Sequence, residues 1–278
     1  MNKAQGMKIA FIGGGNMASA LIAGLAGQLT AGANIHVVDP NADQLARLAG
    51  SFGVGTAQQI DDAVGGSDVI VLAVKPQQMR DVAASLKPQL GGGALLLSIA
   101  AGIRSADLSR WLGGYGAIVR TMPNTPALIG KGITGMVAMA GVTPAQKAAA
   151  DDIMKAVGAT VWLIDEALID PVTAVSGSGP AYVFYFIEAM QQAAQELGLS
   201  AAQGKQLALA TFAGAAQLAA QSPDEVAVLR ERVTSKGGTT YAALTSMERS
   251  GVKQAIIDAV KAASARGREL GEQLGTGE

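Results

Sequence analysis

The sequence predicts an α/β chain in which a doubly wound parallel sheet precedes an all-helical region. Apolar runs alternate with helical patterns over about the first 165 residues, and no convincing strand follows Asp165. A glycine-rich turn comes directly after the first apolar run. A chain of 278 residues is long enough for two ordinary domains. We therefore predict an N-terminal domain over residues 1–165 and a helical domain over residues 166–278.

The first domain has the β-α-β rhythm of a doubly wound sheet, because near-continuous apolar runs are typical of parallel strands buried on both faces. The predicted strands are Lys8–Ile12, Ile35–Val38, Val69–Val74, Leu95–Ile99 and Ile118–Met122, with later strands at Gly132–Ala140 and Thr160–Ile164. The predicted helices are Ala18–Ala26, Ala42–Ser51, Gln78–Leu86 and Ala106–Leu112, and another begins at Pro144 behind the cap residue Thr143.

The turn after the first strand carries the G-x-G-x-x-A pattern, with Gly13, Gly15 and Ala18 at its small-residue positions. The first glycine permits the tight turn, the second lets backbone approach a pyrophosphate, and the third small residue lets helix pack on strand. The helix that follows offers N–H groups and its positive dipole end to phosphate oxygens. The pattern predicts a dinucleotide-binding Rossmann domain.

The helical region is predicted to dimerise. Helices are expected over Pro180–Leu197, from the cap Ser200 to Ala220, and after Pro223, Gly238 and Gly251. The helix ending at Ala220 is apolar or small around nearly its whole circumference, so it must be enclosed. We expect a second subunit to cover it; the alternative is a compact bundle within one chain.

Composition excludes several classes of function. The formal net charge is −1, and no lysine or arginine cluster indicates nucleic acid. No apolar run reaches the roughly 18 residues of a membrane span, and no signal-peptide core is seen, so a cytoplasmic protein is expected. There is no cysteine, and the single histidine, His36, lies in a strand as a surface or partly buried residue. Histidine-based dehydrogenases and metal sites are therefore disfavoured.

The carboxyl ends of the predicted strands carry candidate cofactor ligands. Asp39 lies 24 residues after Gly15, near the expected spacing of about 20 for a ribose-binding carboxylate that repels a 2′-phosphate. Asp39-Pro40-Asn41 is equally good turn chemistry. Lys75 would contact phosphate or ribose beside Pro76, or it is a solvated lysine.

The next two strand ends suit a flat ring and a polar group. Small residues around Ala100 leave room for a ring, and two prolines bracket Asn124 and Thr125. Such a rigid polar loop would bind a nicotinamide amide or a substrate group, or it is a structural turn.

Two loops rich in hydroxyls and glycines, Val175–Pro180 and Thr234–Thr240, each lead into a helix. They present hydroxyls and N–H groups suited to a small carboxylate, or they are linkers with N-caps.

Together these segments resemble pyrroline-5-carboxylate reductase, the last enzyme of proline biosynthesis. The resemblance covers the chain from Met7 and rests on six motifs in order: Phe-Ile-Gly-Gly-Gly-Asn-Met, Ala-Val-Lys-Pro, Ser-Ile-Ala-Ala-Gly, Met-Pro-Asn-Thr-Pro, Val-Ser-Gly-Ser-Gly-Pro-Ala-Tyr and Lys-Gly-Gly-Thr-Thr. It implies NAD(P)H-dependent reduction of L-Δ1-pyrroline-5-carboxylate to L-proline, a helical domain that interlocks with its dimer mate, and frequently a ring of dimers.

By position, the resemblance implies a cofactor site and a substrate site. Ser235, Gly238 and Thr239 would hold the substrate carboxylate, while Thr240 would bond the ring nitrogen and relay its proton. The cofactor would contact Gly13, Gly15, Asn16, Met17, Asp39, Lys75, Pro76, Ala100 and Asn124.

Two positions depart from the family. Lys236 stands where the family often has proline, and Asp39 stands where many members offer Ser, Asn or Arg to a 2′-phosphate. The choice between NADPH and NADH therefore stays open.

Two other functions also fit parts of the sequence. A β-hydroxyacid dehydrogenase or imine reductase also pairs a Rossmann domain with helices, and the former would need a lysine base such as Lys205 or Lys236. A nucleotide-sensing scaffold would bind NAD(P)H without turnover.

Overall fold

The computed structural model describes residues 6–276 and forms two compact units. The first unit consists of the chain up to Ser178 together with the residues from Ala263 onward. The second unit spans Gly179–Ala262. The unit border thus lies at residue 178, and the domain border at residue 165 stays a prediction.

The first unit is built on one eight-stranded sheet with the order β3-β2-β1-β4-β5-β6-β7-β8. All neighbouring strands are parallel except β6 and β7, which are antiparallel. The chain leaves β1 towards β3 and returns to the other side of β1 as β4, so the strand order reverses there. The strands are β1 (Ile9–Ile12), β2 (Ile35–Val38), β3 (Gly55–Ala57), β4 (Val69–Leu72), β5 (Leu95–Ser98), β6 (Ile118–Met122), β7 (Gly132–Ala138) and β8 (Gly158–Trp162).

Helices cover both faces of this sheet. Alternate strand residues enter two separate cores, with Ile9 and Phe11 in one and Ala10 and Ile12 in the other. The helices of this part are α1 (Asn16–Leu25), α2 (Ala42–Phe52), α3 (Asp62–Gly65), α4 (Met79–Leu86), α5 (Ser105–Trp111), α6 (Pro144–Lys155) and α7 (Ile169–Val172). A π-helical turn, Thr173–Gly177, follows α7.

The predicted strands and long helices are confirmed with shifts of one or two residues at their ends. Thr143 and Gln146 form a capping box at the start of α6. The short elements β3 and α3 were not predicted. His36 is partly buried, as expected, and its Nε2 lies 3.1 Å from Oδ2 of Asp61.

The second unit is helical. Its helices are α8 (Gly179–Glu196), α9 (Ala201–Gln221), α10 (Val226–Arg232) and α11 (Thr239–Arg249), followed by α12 (Val252–Thr276), which continues into the residues of the first unit. Ser200 and Gln203 form a capping box that starts α9, and α8 packs against α9. No helix among residues 6–276 is both long and apolar enough to cross a membrane.

Helix α9 is largely uncovered within one chain. Of its residues only Gly204 and Ala208 are buried. Leu207 is 56% exposed and Leu218 is 60% exposed. The alternative of a compact single-chain bundle that encloses this helix is therefore wrong.

Candidate functional site

A cleft of about 670 Å³ opens where the strand order reverses, at the carboxyl ends of β1, β2 and β4. Ligands of open α/β sheets bind at this kind of switch point. Its lining residues are Ile12, Gly13, Gly15, Val38, Asp39, Pro40, Gln58, Gln59, Ile60, Ala73, Val74, Lys75, Gln78, Asp81, Val82 and Ser85.

The two glycines of the G-x-G-x-x-A pattern, Gly13 and Gly15, have different roles at this cleft. Gly13 has φ +101°, and a Cβ there would lie 2.7 Å from the carbonyl oxygen of Ala73. Gly13 is therefore required by the turn itself. Gly15 has φ −64°, and a Cβ there would meet nothing within 4 Å. Its backbone leaves open space on the cleft side, which suits close approach of a ligand.

The start of α1 suits an anion. Gly15 is its N-cap and supplies no side-chain hydrogen bond, and the first turn holds no acidic residue. Asn16 and Met17 are the first two helical residues, so their N–H groups have no acceptor within the helix. The space beside Gly15, the helix start and the cleft volume together fit the pyrophosphate of a dinucleotide.

Asp39 faces the cleft at the end of β2 and also holds the backbone. Its Oδ2 accepts a hydrogen bond from the N–H of Gly14 at 2.7 Å, and its Oδ1 accepts one from Asn41 at 2.9 Å. The turn chemistry read from the sequence is thus present, and the ribose contact stays a prediction. Gln44 supports the same turn by donating to the carbonyl of Gly14 and to Oγ of Ser19.

Lys75 lines the cleft three residues after the end of β4. It is exposed, and Pro76 next to it begins a short 3-10 turn, Pro76–Gln78. Its position fits a phosphate or ribose contact as well as a solvated side chain.

Ala100 and Asn124 lie farther along the same sheet edge, outside the cleft lining. Ala100 is buried after β5. The Nδ2 of Asn124 donates to the carbonyl of Ser176 at 3.1 Å, and its Oδ1 accepts from Ile133 at 3.0 Å. The amide of Asn124 therefore joins the end of β6 to β7 and to the π-helical turn.

Several residues of this edge were not predicted from the sequence. Gln58 and Gln59 enter the cleft because they follow β3, the short strand that the apolar pattern did not indicate. Asp81 and Ser85 line it from α4, where a helical periodicity alone does not show which face meets a ligand. Glu166 was also missed, although its Oε1 is 2.8 Å from Nη1 of Arg120.

The first hydroxyl-and-glycine segment is helical rather than a loop, so the prediction of a loop there is wrong. Val175, Ser176 and Gly177 belong to the π-helical turn, and Oγ of Ser176 donates to the carbonyl of Val172 at 2.9 Å. A Cβ on Gly177 would lie 2.6 Å from Cε of Met122. This glycine is set by close packing against β6.

The second hydroxyl-and-glycine segment, in the helical unit, gathers the predicted substrate residues at the start of α11. Gly238 is the N-cap of that helix, and its N–H donates to the carbonyl of Ser235 at 3.0 Å. Thr239 and Thr240 form the first turn, and no side-chain cap occupies their N–H groups. Ser235 and Lys236 are exposed and Thr240 is half-buried. Among residues 6–276, no cluster of acidic or histidine side chains suits a metal ion.

Comparison with known proteins decides the family. Residues 166–270 match the family model for pyrroline-5-carboxylate reductase dimerisation, and residues 8–102 match that for NADP oxidoreductase, coenzyme F420-dependent. Pyrroline-5-carboxylate reductase of Pseudomonas aeruginosa is 49% identical over 96% of this chain and 98% of that protein. The Escherichia coli reductase is 39% identical over 91% and 94% of the two chains.

The chain belongs to the pyrroline-5-carboxylate reductase family. The solved structure of the Coxiella burnetii reductase has a TM-score of 0.90 at 39% identity and covers 96% of this chain and 99% of that chain. The Plasmodium falciparum reductase, solved with NADP bound, has a TM-score of 0.86 at 31% identity over 96% and 99% of the chains. The predicted fold class, a Rossmann domain followed by a helical dimerisation domain, is confirmed.

The two family models match different parts of the chain, and each part holds one of the proposed sites. The match to residues 8–102 contains every residue that lines the cleft. The dimerisation match contains α9, whose leucines are uncovered in one chain, and the segment Ser235–Thr240. The cleft thus lies in an oxidoreductase module, and the helix start of α11 lies in the dimerisation module.

Proposed function

We propose that this chain catalyses the NAD(P)H-dependent reduction of L-Δ1-pyrroline-5-carboxylate to L-proline, the last step of proline biosynthesis. The observation that carries the proposal is 49% identity to a reductase of that name over 96% of the chain. The cleft beside the open backbone of Gly15 supports it, because it fits a dinucleotide at the switch point of the sheet.

The proposed cofactor site consists of the glycine turn and the strand ends. Gly13 and Gly15 shape the turn, and the N–H groups of Asn16 and Met17 bind the pyrophosphate. The cofactor's ribose and nicotinamide ends contact Asp39, Lys75, Pro76, Ala100 and Asn124. When bound, the reduced nicotinamide supplies a hydride, which this chain's residues must hold in line with the imine carbon.

The proposed substrate site is the start of α11. Ser235, Gly238 and Thr239 bind the carboxylate through hydroxyl and N–H groups at a helix N-terminus, where the helix dipole favours an anion. Thr240 donates a hydrogen bond to the ring nitrogen and relays its proton. A protonated C=N bond is already electrophilic, so the reaction needs placement more than a strong protein acid. This requirement suits a chain without cysteine and with one histidine.

We further propose that the chain works as a homodimer, with the uncovered leucines of α9 in the interface, and that dimers assemble into a ring. Uncovered apolar side chains on a matched dimerisation segment support the dimer.

The test is oxidation of NADPH and NADH, in parallel, with pyrroline-5-carboxylate as acceptor. The wild-type protein is expected to turn over, and Thr240→Ala is expected to lower kcat by about 100- to 10,000-fold. Thr240→Ser, which keeps the hydroxyl, should retain most of the activity. Cofactor binding without turnover would point to a nucleotide sensor, and activity on a hydroxyacid alone would point to a dehydrogenase.

A further inference from the structure

One carboxylate joins two segments that border the ligand edge of the sheet. Oε1 of Glu166 lies 2.8 Å from Nη1 of Arg120, a residue of β6 whose side chain is 5% exposed. The side chain of Glu166 is 31% exposed. A guanidinium buried to this degree requires a partner, because an unpaired charge there is costly.

The same Oε1 caps a helix. It accepts a hydrogen bond from the backbone N–H of Ser105 at 2.7 Å. Ser105 is the first residue of α5, and the N-cap residue Arg104 contributes no side-chain hydrogen bond. Glu166 therefore satisfies a helix N–H and places negative charge at the positive end of the helix dipole.

The loop between β5 and α5 is held from a second side by the C-terminal helix. A Cβ on Gly102 would lie 2.9 Å from Cδ1 of Leu274. The Nη2 of Arg104 lies 3.6 Å from Oε1 of Glu272. This loop, residues 99–104, contains Ala100. Its path is thus set between α12 on one side and the Glu166 carboxylate on the other.

Arg120 and Glu166 belong to the two segments that contact the polar loop around Asn124. Arg120 lies two residues before Met122, the last residue of β6. Glu166 begins the segment that leads through α7 to Ser176, whose carbonyl accepts a hydrogen bond from Asn124. Moving either partner of the ion pair shifts a segment attached to Asn124 or to Ala100.

We propose that Arg120 and Glu166 are positioning residues of the reaction, which hold the loops of Ala100 and Asn124 in the geometry that hydride transfer needs. The proposal rests on the proposed function, which puts both loops at the nicotinamide end of the cofactor. Neither residue touches the reacting atoms. Displacement of a reacting group by about 1 Å lowers rates by about 100-fold, so a shifted loop has a measurable cost.

The experiment compares full-length Glu166→Gln with the wild-type protein in single and multiple turnover. The variant should lower kcat by about 10- to 100-fold. The primary kinetic isotope effect with 4-deuterated NAD(P)H should rise, because a poorly aligned hydride transfer becomes rate-limiting. The Kd of the cofactor should change by less than about threefold, since the cleft at Gly15 and Asp39 is untouched.

Asp151→Asn is the matched control. Asp151 of α6 accepts hydrogen bonds from Thr160 and Trp162 of β8 and pairs with Lys155 one turn along α6. Its substitution also removes a carboxylate from a side-chain network of the first unit. It should lower Tm while leaving kcat and the isotope effect at wild-type values.

The outcomes separate the two claims. A folded Glu166→Gln with wild-type kcat and isotope effect but lower Tm would show a merely structural ion pair and overturn the positioning role. Arg120→Lys keeps the cation and should retain more kcat than Arg120→Met; if Glu166→Gln does not fold, this pair of variants decides. Absence of turnover in the wild-type protein would instead remove the proposed function, and the positioning role with it.

Discussion

The carboxylate of Asp39 and the backbone N–H of Gly14 are joined by a hydrogen bond of 2.7 Å, which fixes the end of β2 against the glycine turn after β1. Because its other oxygen accepts from Asn41, the charge of Asp39 is held in one place on the cleft wall. Asp81 adds a second carboxylate to the lining, and Lys75 is the one cation that residues 6–276 contribute to it. A ligand that brings extra negative charge to the β2 end meets repulsion there.

Asp39→Ser is expected to shift the cofactor preference towards NADPH. Two unit charges 4 Å apart interact by about 4 kcal/mol at an effective dielectric constant of about 20. Partial relief of this repulsion should raise the ratio of kcat/KM for NADPH to that for NADH by at least about tenfold. The measurement is initial rates with each cofactor at saturating pyrroline-5-carboxylate.

Asp43→Ser is the control for that comparison. Asp43 lies in the first turn of α2 and does not line the cleft, so its loss changes net charge equally. It should leave the cofactor ratio unchanged. If Asp39→Ser leaves the ratio of kcat/KM for NADPH to that for NADH unchanged, Asp39 acts in the turn and does not select the cofactor.

Gly13→Ala and Gly15→Ala should differ in kind. Gly13 has φ +101°, and a Cβ added there lies 2.7 Å from the carbonyl oxygen of Ala73. Gly13→Ala should therefore lower the free energy of unfolding by more than about 1 kcal/mol. At Gly15 the added methyl meets nothing, so Tm should stay at the wild-type value while the Kd of the dinucleotide rises by at least about tenfold. Thermal unfolding with and without NAD(P)H measures both quantities. If Gly15→Ala binds the cofactor as tightly as the wild-type protein, the pyrophosphate does not bind at this turn.

Leu207→Glu and Leu218→Glu should weaken the proposed dimer. Both leucines are more than half exposed on α9 in one chain, so covering them buries apolar surface worth about 25 cal/mol per Å². Sedimentation velocity at micromolar concentration should show a shift from dimer or larger species to monomer. Gln28→Glu, an exposed position of the first unit, adds the same charge and should not dissociate the protein. A wild-type protein that sediments as a monomer would contradict the interface.

The network of Asp151 predicts a change in stability with pH. Burial raises the pKa of Asp151, but hydrogen bonds from Lys155, Thr160 and Trp162 and the charge of Lys155 outweigh it, so the pKa lies below its ordinary value. A depressed folded-state pKa gives stability that is complete above the unfolded value of about 3.9 and is lost as the pH falls through the folded pKa.

Asp151→Asn should therefore lower the free energy of unfolding at pH 7 by about 1 kcal/mol, the usual net value of a hydrogen bond. The difference from the wild-type protein should narrow below about pH 4, where the Asp151 carboxyl of the unfolded wild-type chain takes up a proton before that of the folded chain. Urea unfolding at several pH values measures it; a constant difference across that range would show that the charge of Asp151 contributes nothing.

The long elements of the sheet were predictable because each strand has its own apolar run. β3 was not, since Gly55 and Thr56 are exposed and the strand forms by pairing with β2. In the site, the glycine turn follows from local sequence alone. The partners of Glu166 lie 46 and 61 residues away in the chain, and no local pattern links an acidic residue to such distant groups.

The division of the chain into two units also separates its chromophores. The two tryptophans, Trp111 and Trp162, both lie in the sheet unit, where Nζ of Lys147 sits 4.4 Å from the ring of Trp162. Tyr182, Tyr185 and Tyr241 lie in the helical unit, and Tyr115 lies with the tryptophans. Emission excited at the red edge of the indole band thus follows the sheet alone. Far-ultraviolet dichroism follows the helices of both units, so a dichroism change that precedes the emission change is the signature of the helical unit melting first.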